Sequence, residues 1–343
     1  MKLVIDNKEF KFFAGSIINL NYNSIASSFS FQGLSELTPE PLNYNECQII
    51  DDNDDILITG TIINISNATT SKPQLNNLSG YSLPGVLEDS SIPVELYPLQ
   101  SDNLTLKEIV DKLLQPFGLE YIVTPNVESD FNSKYKKSNA DPDQTIKDYI
   151  NSLTSQKGII LTHDNLGKLV FTRIEPSELS PAATFSDGNP GIMEIALQVN
   201  GQIMHSEITV MKQASSDNPD AVEFTIQNPY VDYFRPKTKI LTSSSTNIED
   251  VKKAARNELG AELEAIKIVV KTTKFVKPGN LVQIKSDKLK LNELTDFFVQ
   301  QTNILSDVNG IKYELICVLP DIYTQDDIEN IFLQQSYVEI PRF

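Results

Sequence analysis

Cysteine is nearly missing from this chain of 343 residues. Cys47 and Cys317 are too few for a zinc cluster or a disulfide framework. Both sit in apolar, strand-like runs, where a thiol behaves as a small buried hydrophobe. Histidine is equally scarce, with only His163 and His205. Neither stands in His-Glu-x-x-His or another paired metal spacing, so both are expected to be plain surface or structural residues. Cations are outnumbered: 29 Lys and Arg face 46 Asp and Glu, for a net charge of −17. A protein that grips nucleic acid by its phosphates needs the opposite surplus. Docking on an anionic membrane is disfavoured for the same reason. No apolar run reaches about 18 residues, so no segment reads as a membrane-spanning helix. The opening, Met1 to Asn7, is charged again too soon for a signal peptide, which implies synthesis in the cytoplasm without the usual secretory export. Common enzyme signatures are missing as well: no Gly-x-Ser-x-Gly, no Gly-x-x-x-x-Gly-Lys-Ser/Thr and no Gly-x-Gly-x-x-Gly.

What is present is a strand-rich pattern broken by one helical stretch. Residues 2–5, 9–13, 16–21, 27–32, 46–50, 56–65 and 78–83 read as short strands with turn signals between them, the mark of a small barrel or sandwich. The acidic run Asp51-Asp52-Asn53-Asp54-Asp55 is expected at a hairpin tip. Thr105-x-x-Glu108 is a capping-box signature, followed by apolar residues at helical spacing up to Phe117 and a stop at Gly118. A strand over 119–123 and a polar, exposed loop over 125–140 come next. Asp141-Pro142-Asp143-Gln144 reads as a second helix start, with Asp141 as the cap. Ile146, Tyr149, Ile150 and Leu153 form its apolar face, and Gly158 ends it. A hairpin over 159–162 and 168–172 turns around residues 164–167, and His163 is expected on that turn.

Residues 177–190 are rich in Ser, Pro and Gly and read as a linker. Strand patterns return at 192–199, 207–213 and 221–227. A helix is expected over 248–264 with Asn247 as its cap, and strands over 266–273 and 281–285. A closing hairpin, 297–307 with 311–319, turns at Val308-Asn309-Gly310, and a helical pattern covers 326–335. The fold class is therefore α+β and mainly β. Four segments follow: 1–100, a first barrel; 101–177, an α+β insert; 178–320, a second barrel carrying a helix; and 321–343, a helix and tail.

As a calcium loop, the acidic tip would offer Asp51, Asn53 and Asp55 as the first ligands. Its sixth position is Ile56 where Gly is needed, and its twelfth is Ile62 where Glu is needed, so the match fails. Carboxylate pairs for glycoside hydrolysis leave no mark, because 46 acidic residues make any chosen pair uninformative. No catalytic, cofactor-binding or metal-binding residue is assigned, and no cofactor is expected.

The order of segments resembles the baseplate hub proteins of contractile-tailed phages, meaning the Mu-like hub and the late control protein D family. The resemblance rests on KFFAGSIINLNYNSIASSFSFQ (11–32), on ILITGTI (56–62), similar to a strand ending in a Gly turn, and on LSGYSLPGVLEDS (78–90). It continues in the helix at 105–118, in TIKDYINSLTSQKGIILTHDNLGKLVFTR (145–173) and in KPGNLVQ (277–283). Ser90 stands where members often carry Cys. The resemblance implies two small β-barrels flanking an α+β insert and a non-enzymatic, structural role in the virion tail. It also implies a homotrimer whose six barrels join the six-fold tail tube to the three-fold central spike. Tail tube and spike proteins would be its partners. DNA would pass through the channel without specific binding, past a wall expected to be acidic or neutral. A hub of a related injection or secretion machine, a tail-associated polysaccharide or peptidoglycan hydrolase, and a peripheral receptor-binding protein are the competing readings.

Overall fold

The computed structural model describes residues 1–11, 13–34, 42–66, 75–96, 103–135, 140–141, 143–212, 222–241, 248–324 and 327–334. Asn247, Pro142, Gln213, Ala221, Asp326 and Gln335 from the sequence reading lie outside them. The strands are β1 Lys2–Ile5, β2 Lys8–Phe10, β3 Phe13–Asn21, β4 Ser28–Leu34, β5 Glu46–Ile50, β6 Ile56–Ser66, β7 Leu75–Ser82, β8 Tyr121–Val123, β9 Ile160–His163 and β10 Leu169–Thr172. They continue as β11 Pro181–Ser186, β12 Ile192–Val199, β13 Glu207–Lys212, β14 Val222–Gln227, β15 Pro236–Leu241, β16 Ile266–Thr272, β17 Leu281–Ser286, β18 Leu291–Asp307 and β19 Gly310–Val318. The helices are α1 Val86–Asp89, α2 Leu106–Leu114, α3 Glu128–Phe131, α4 Ile146–Ser155, α5 Ile248–Leu263 and α6 Ile331–Gln334. Among the described residues strand outweighs helix, 46% to 24%, so the α+β, mainly β class holds. Among the described residues no helix is long and apolar enough to cross a membrane.

The chain divides into two compact units. The first gathers Met1–Thr154, Ile159–Arg173 and Gln301–Glu314. Its antiparallel sheet runs β3-β4-β7-β6-β5-β1-β2, and residues 301–306 of β18 pair along the outer side of β3. Alternation sends Leu3, Ile18, Phe29, Phe31, Ile49, Ile58 and Leu78 to one face, all 3% exposed or less. Met1 and Phe10 from one end of the strand order meet the same core as Ile311 and Tyr313 from the other, so the sheet curls around it. Gly60 and Gly80 allow β6 and β7 to approach: a Cβ on Gly80 would lie 1.9 Å from the Thr61 carbonyl oxygen, and one on Gly60 would lie 2.2 Å from that of Tyr81. Gly60 is thus an interior strand residue needed for close backbone contact and not the turn that ILITGTI suggests.

The α+β layer belongs to this unit. The capping box forms: Glu108 N–H donates to Thr105 Oγ1 at 3.1 Å, and Thr105 N–H donates to Glu108 Oε2 at 2.8 Å. Gly118 takes φ +64 and stops the helix. α4 begins at Ile146, and its cap is Thr145, whose Oγ1 accepts from Asp148 N–H at 3.1 Å. Asp141 is not the cap; its carbonyl accepts from Gln144 N–H, closing a turn ahead of the helix. The helices cover the small sheet β8-β10-β9, parallel between β8 and β10 and antiparallel between β9 and β10. Within the expected exposed loop at 125–140, of which 136–139 lie outside the described residues, Glu128–Phe131 forms α3, and Val127, Phe131 and Tyr135 are buried in the core. Phe131 packs 4.8 Å from the Phe171 ring, and Tyr135 O–H donates to the Leu153 carbonyl. Apolar spacing there is irregular, so only packing reveals it.

The second unit gathers Ser155–Gly158, Ile174–Gln300 and Leu315–Phe343. Its sheet path is β11-β17-β18-β19-β16-β12. Residues 181–186, read as linker, form edge strand β11, parallel to β17. Two consecutive turns join β11 to β12, with Asn189 N–H donating to Ser186 O and Ile192 N–H to Asn189 O. Each turn spans under about 7 Å, whereas the edges of six flat strands lie about 24 Å apart at ~4.8 Å per spacing. The sheet therefore curls until its edges face each other. A separate sheet, β14-β13-β15, packs Ile208 and Val210 against α5; β15 went unread because Pro-Lys-Thr-Lys carries little apolar signal. The C-terminal helix is one turn, α6, with 327–330 non-helical.

Candidate assembly surfaces

His163 ends β9 and does not sit on the hairpin turn. Its Nδ1 lies 2.9 Å from the Ser24 carbonyl and its Nε2 lies 2.8 Å from Ser27 Oγ. A carbonyl only accepts, so Nδ1 carries the hydrogen, and in the neutral ring Nε2 accepts from the Ser27 hydroxyl. Ser27 Oγ in turn accepts from Asn21 N–H at 3.1 Å, while Ser27 and Ser82 exchange backbone and hydroxyl bonds. A Ser–His pair at this distance has the spacing of an activated nucleophile. Ser27, however, is 3% exposed, so an incoming carbonyl cannot reach it. The arrangement instead anchors the hairpin β9–β10 to the β3–β4 connection. Asn165 adds a second tie, donating through Nδ2 to the Ile56 carbonyl and accepting from Thr59 N–H. The sequence carried no sign of Ser24 and Ser27 as partners, since they lie 139 and 136 residues from His163.

His205 enters an ionic chain in the second unit. Glu262 Oε1 lies 2.8 Å from His205 Nδ1, and Glu262 Oε2 accepts from His205 N–H. Lys237 donates to Glu262 at 3.0 Å and to Glu258 at 2.8 Å, and Lys239 also pairs with Glu258. Burial works against ionisation of Glu258, but the bonds and charges of Lys237 and Lys239 outweigh it and hold the carboxyl below its usual range. The same carboxylates overcome burial at Lys237 and raise its pKa. The chain fastens β15 to α5.

The acidic run forms the β5–β6 hairpin tip, as expected. Asp51 Oδ1 accepts from Asn53 N–H and Asp55 N–H at 2.8 and 2.9 Å, so its carboxylate closes the turn. Asp54 pairs with Lys2, and Asp52 with the terminal ammonium of Met1. Cys47 and Cys317 are both buried, and burial pushes the Cys47 thiol up to about 12 and that of Cys317 higher.

Apolar side chains stand exposed on both units. On the first unit, Ile17 and Leu305 stand opposite each other on the outer sheet face, 47% and 37% exposed. They line a groove of about 560 Å³ with Ser30, Gln32, Asn77 and Asp307. On the second, the β14–β15 connection lifts Tyr233 and Phe234 into solvent, 77% and 72% exposed. Their sequence signal is two adjacent aromatics inside Asp-Tyr-Phe-Arg-Pro, without the alternation of a strand.

Residues 85–173 match the family model for the second domain of gp44-like baseplate hub proteins. The resemblance to phage baseplate hubs is borne out in that segment, which covers α1 to β10. The whole chain shares its fold with the 43 kDa tail protein of prophage MuSo2 from Shewanella oneidensis: TM-score 0.77, 18% identity, covering 94% of this chain and 98% of that one. A tail protein from Neisseria meningitidis MC58 gives TM-score 0.78 at 20% identity, covering 95% and 98%. The E. coli c3393 protein gives TM-score 0.60 at 9% identity over 93% and 77%; it is described as a component of the type VI secretion system, similar to the T4 bacteriophage tail proteins gp27 and gp5. No curated protein sequence matches.

Proposed function

We propose that this protein is a structural baseplate hub of a phage tail. The carrying observation is the joint one: a gp44-like second domain set within a fold shared end to end with two tail proteins. In this reading the strand-rich segments 1–100 and 178–320 supply barrels, with 101–177 inserted between them. Three copies form a ring that adapts the six-fold tube to the three-fold spike of a contractile tail. The ring lines the channel through which DNA leaves the virion, and no residue is catalytic. The polar bonds support this. His163 and His205 are spent on fastening one element to another, and the Ser27 hydroxyl is shut away from substrate. A second reading, the hub of a secretion or injection machine, is favoured by the likeness to the E. coli protein.

Native mass spectrometry of the full chain, alone and with tail tube and spike proteins of the same source, tests the proposal. A trimer that captures both partners is the expected result. A chain that stays monomeric with both partners present would refute the hub. Hydrolysis of peptidoglycan by the pure chain, lost on one carboxylate substitution, would refute the non-enzymatic role.

A further inference from the structure

Charge in this chain is segregated. Between Lys267 and Lys290 the sequence carries seven lysines against one acid, Asp287, inside a chain of net −17. In the turn between β16 and β17, Lys274, Phe275 and Lys277 are all exposed, and Phe275 is 36% exposed. The connection bearing Tyr233 and Phe234 has the opposite character. Asp232 beside it is exposed, and the C-terminal segment docks against the same connection. Tyr230 O–H donates to the Glu329 carbonyl at 3.0 Å, Asn330 Nδ2 to the Pro229 carbonyl at 3.1 Å, and Tyr230 and Phe332 rings meet edge to face. That docking brings exposed Asp327, Glu329 and Leu333 to the neighbourhood. The nearby cations are already occupied: Arg235 by the carbonyls of Gly201 and Gln202 at 2.6 and 2.9 Å, Lys237 by Glu258 and Glu262, and Lys239 by Glu258.

An exposed aromatic pair rimmed by carboxylates and an exposed phenylalanine flanked by lysines are complementary in both polarity and charge. Two copies at −17 each repel at long range, so a self-contact must join patches of opposite sign. Exposed aromatics at the centre of such a patch are the residues that carry binding energy. We propose that the Tyr233–Phe234 knob of one copy docks on the Lys274–Phe275–Lys277 turn of a second copy of this chain. The two patches are different, so the contact is head-to-tail and can close into a ring. This inference rests on the hub reading and names its subunit contact.

The test is sedimentation velocity of the full chain up to about 100 μM in roughly 50 mM and roughly 500 mM salt, since screening shortens the reach of such charges. Wild type should associate, and more weakly at the higher salt. Asp232→Lys with Glu329→Lys, or Lys274→Glu with Lys277→Glu, should each weaken association at least tenfold. All four changes in one chain should restore it, which a folding defect would not allow. Tyr233→Ser with Phe234→Ser should abolish association at an unchanged melting temperature. Association indifferent to these changes would overturn the inference and leave the hub standing. A wild-type chain that stays monomeric throughout would overturn the inference as well, while capture of tube and spike tests the hub separately.

Discussion

Replacing His163 with Ala probes whether this histidine is an anchor. The substitution removes two hydrogen bonds, at 2.9 Å to the Ser24 carbonyl and 2.8 Å to Ser27 Oγ. Ser27 is 3% exposed, so its hydroxyl is left as a buried donor with no acceptor in place of the imidazole. A buried group stranded in this way costs about 1–3 kcal/mol. Ser24 lies where water reaches and adds at most about 1 kcal/mol, the net worth of an ordinary hydrogen bond. The expected loss is about 1–4 kcal/mol, a fall of roughly 2–16 °C in melting temperature at ~2–4 °C per kcal/mol for a unit of this size. Differential scanning calorimetry reads it. Ser27→Ala removes the stranded donor but also the acceptor of Asn21 N–H, so the double variant should lose less than the sum of the two single losses, the signature of direct coupling. A single variant within about 1 °C of wild type, or strict additivity of the two, would refute the anchor.

Gly80→Ala should cost more than about 3 kcal/mol, because a Cβ 1.9 Å from the Thr61 oxygen forces β6 and β7 apart and breaks ladder bonds. Gly201→Ala, with nothing within 4 Å, should be near neutral, and urea titration of both variants reads the contrast. The depressed Glu258 contributes stability that is present above its ordinary value of 4.5 and is lost as pH falls through the folded value. Glu258→Gln should therefore lower the melting temperature at pH 7 and flatten its fall on acidification. Cys47 and Cys317 should resist thiol reagents in the native protein and react fully in denaturant, since burial raises both thiols far above neutral pH.

Most elements of the first unit were legible because their signals are local. β1 and β5 fall on the expected residues. The Thr105–Glu108 box needs only a four-residue spacing, and the α2 and α4 stripes need only a helical period. The 125–140 segment was misread because its polar residues dominate the letters, while Val127, Phe131 and Tyr135 are buried by elements distant in sequence. α4 was capped at Asp141 on a sound local rule, yet a turn intervened and Thr145 took the role.

The sequence by itself determined turn sites, helix stops and which faces are apolar. Gly118, Gly158, Gly167 and Gly310 all take positive φ where a stop or turn was read, because that conformation disfavours residues with a Cβ. Tertiary structure decided the rest. Pro181–Ser186 is a strand because β17 offers it a ladder; its Pro and two Ala dilute the extended preference of Thr184 and Phe185, so the segment shows no strand pattern by itself. His163 finds Ser27 across 136 residues, and Gly80 is required only where β6 crosses β7. Seven lysines and the Tyr-Phe pair are visible as letters, but their exposure is set by what the fold leaves uncovered. Local conformational preference is written residue by residue; pairing, close approach and exposure depend on which distant segments arrive, and no local spacing encodes that.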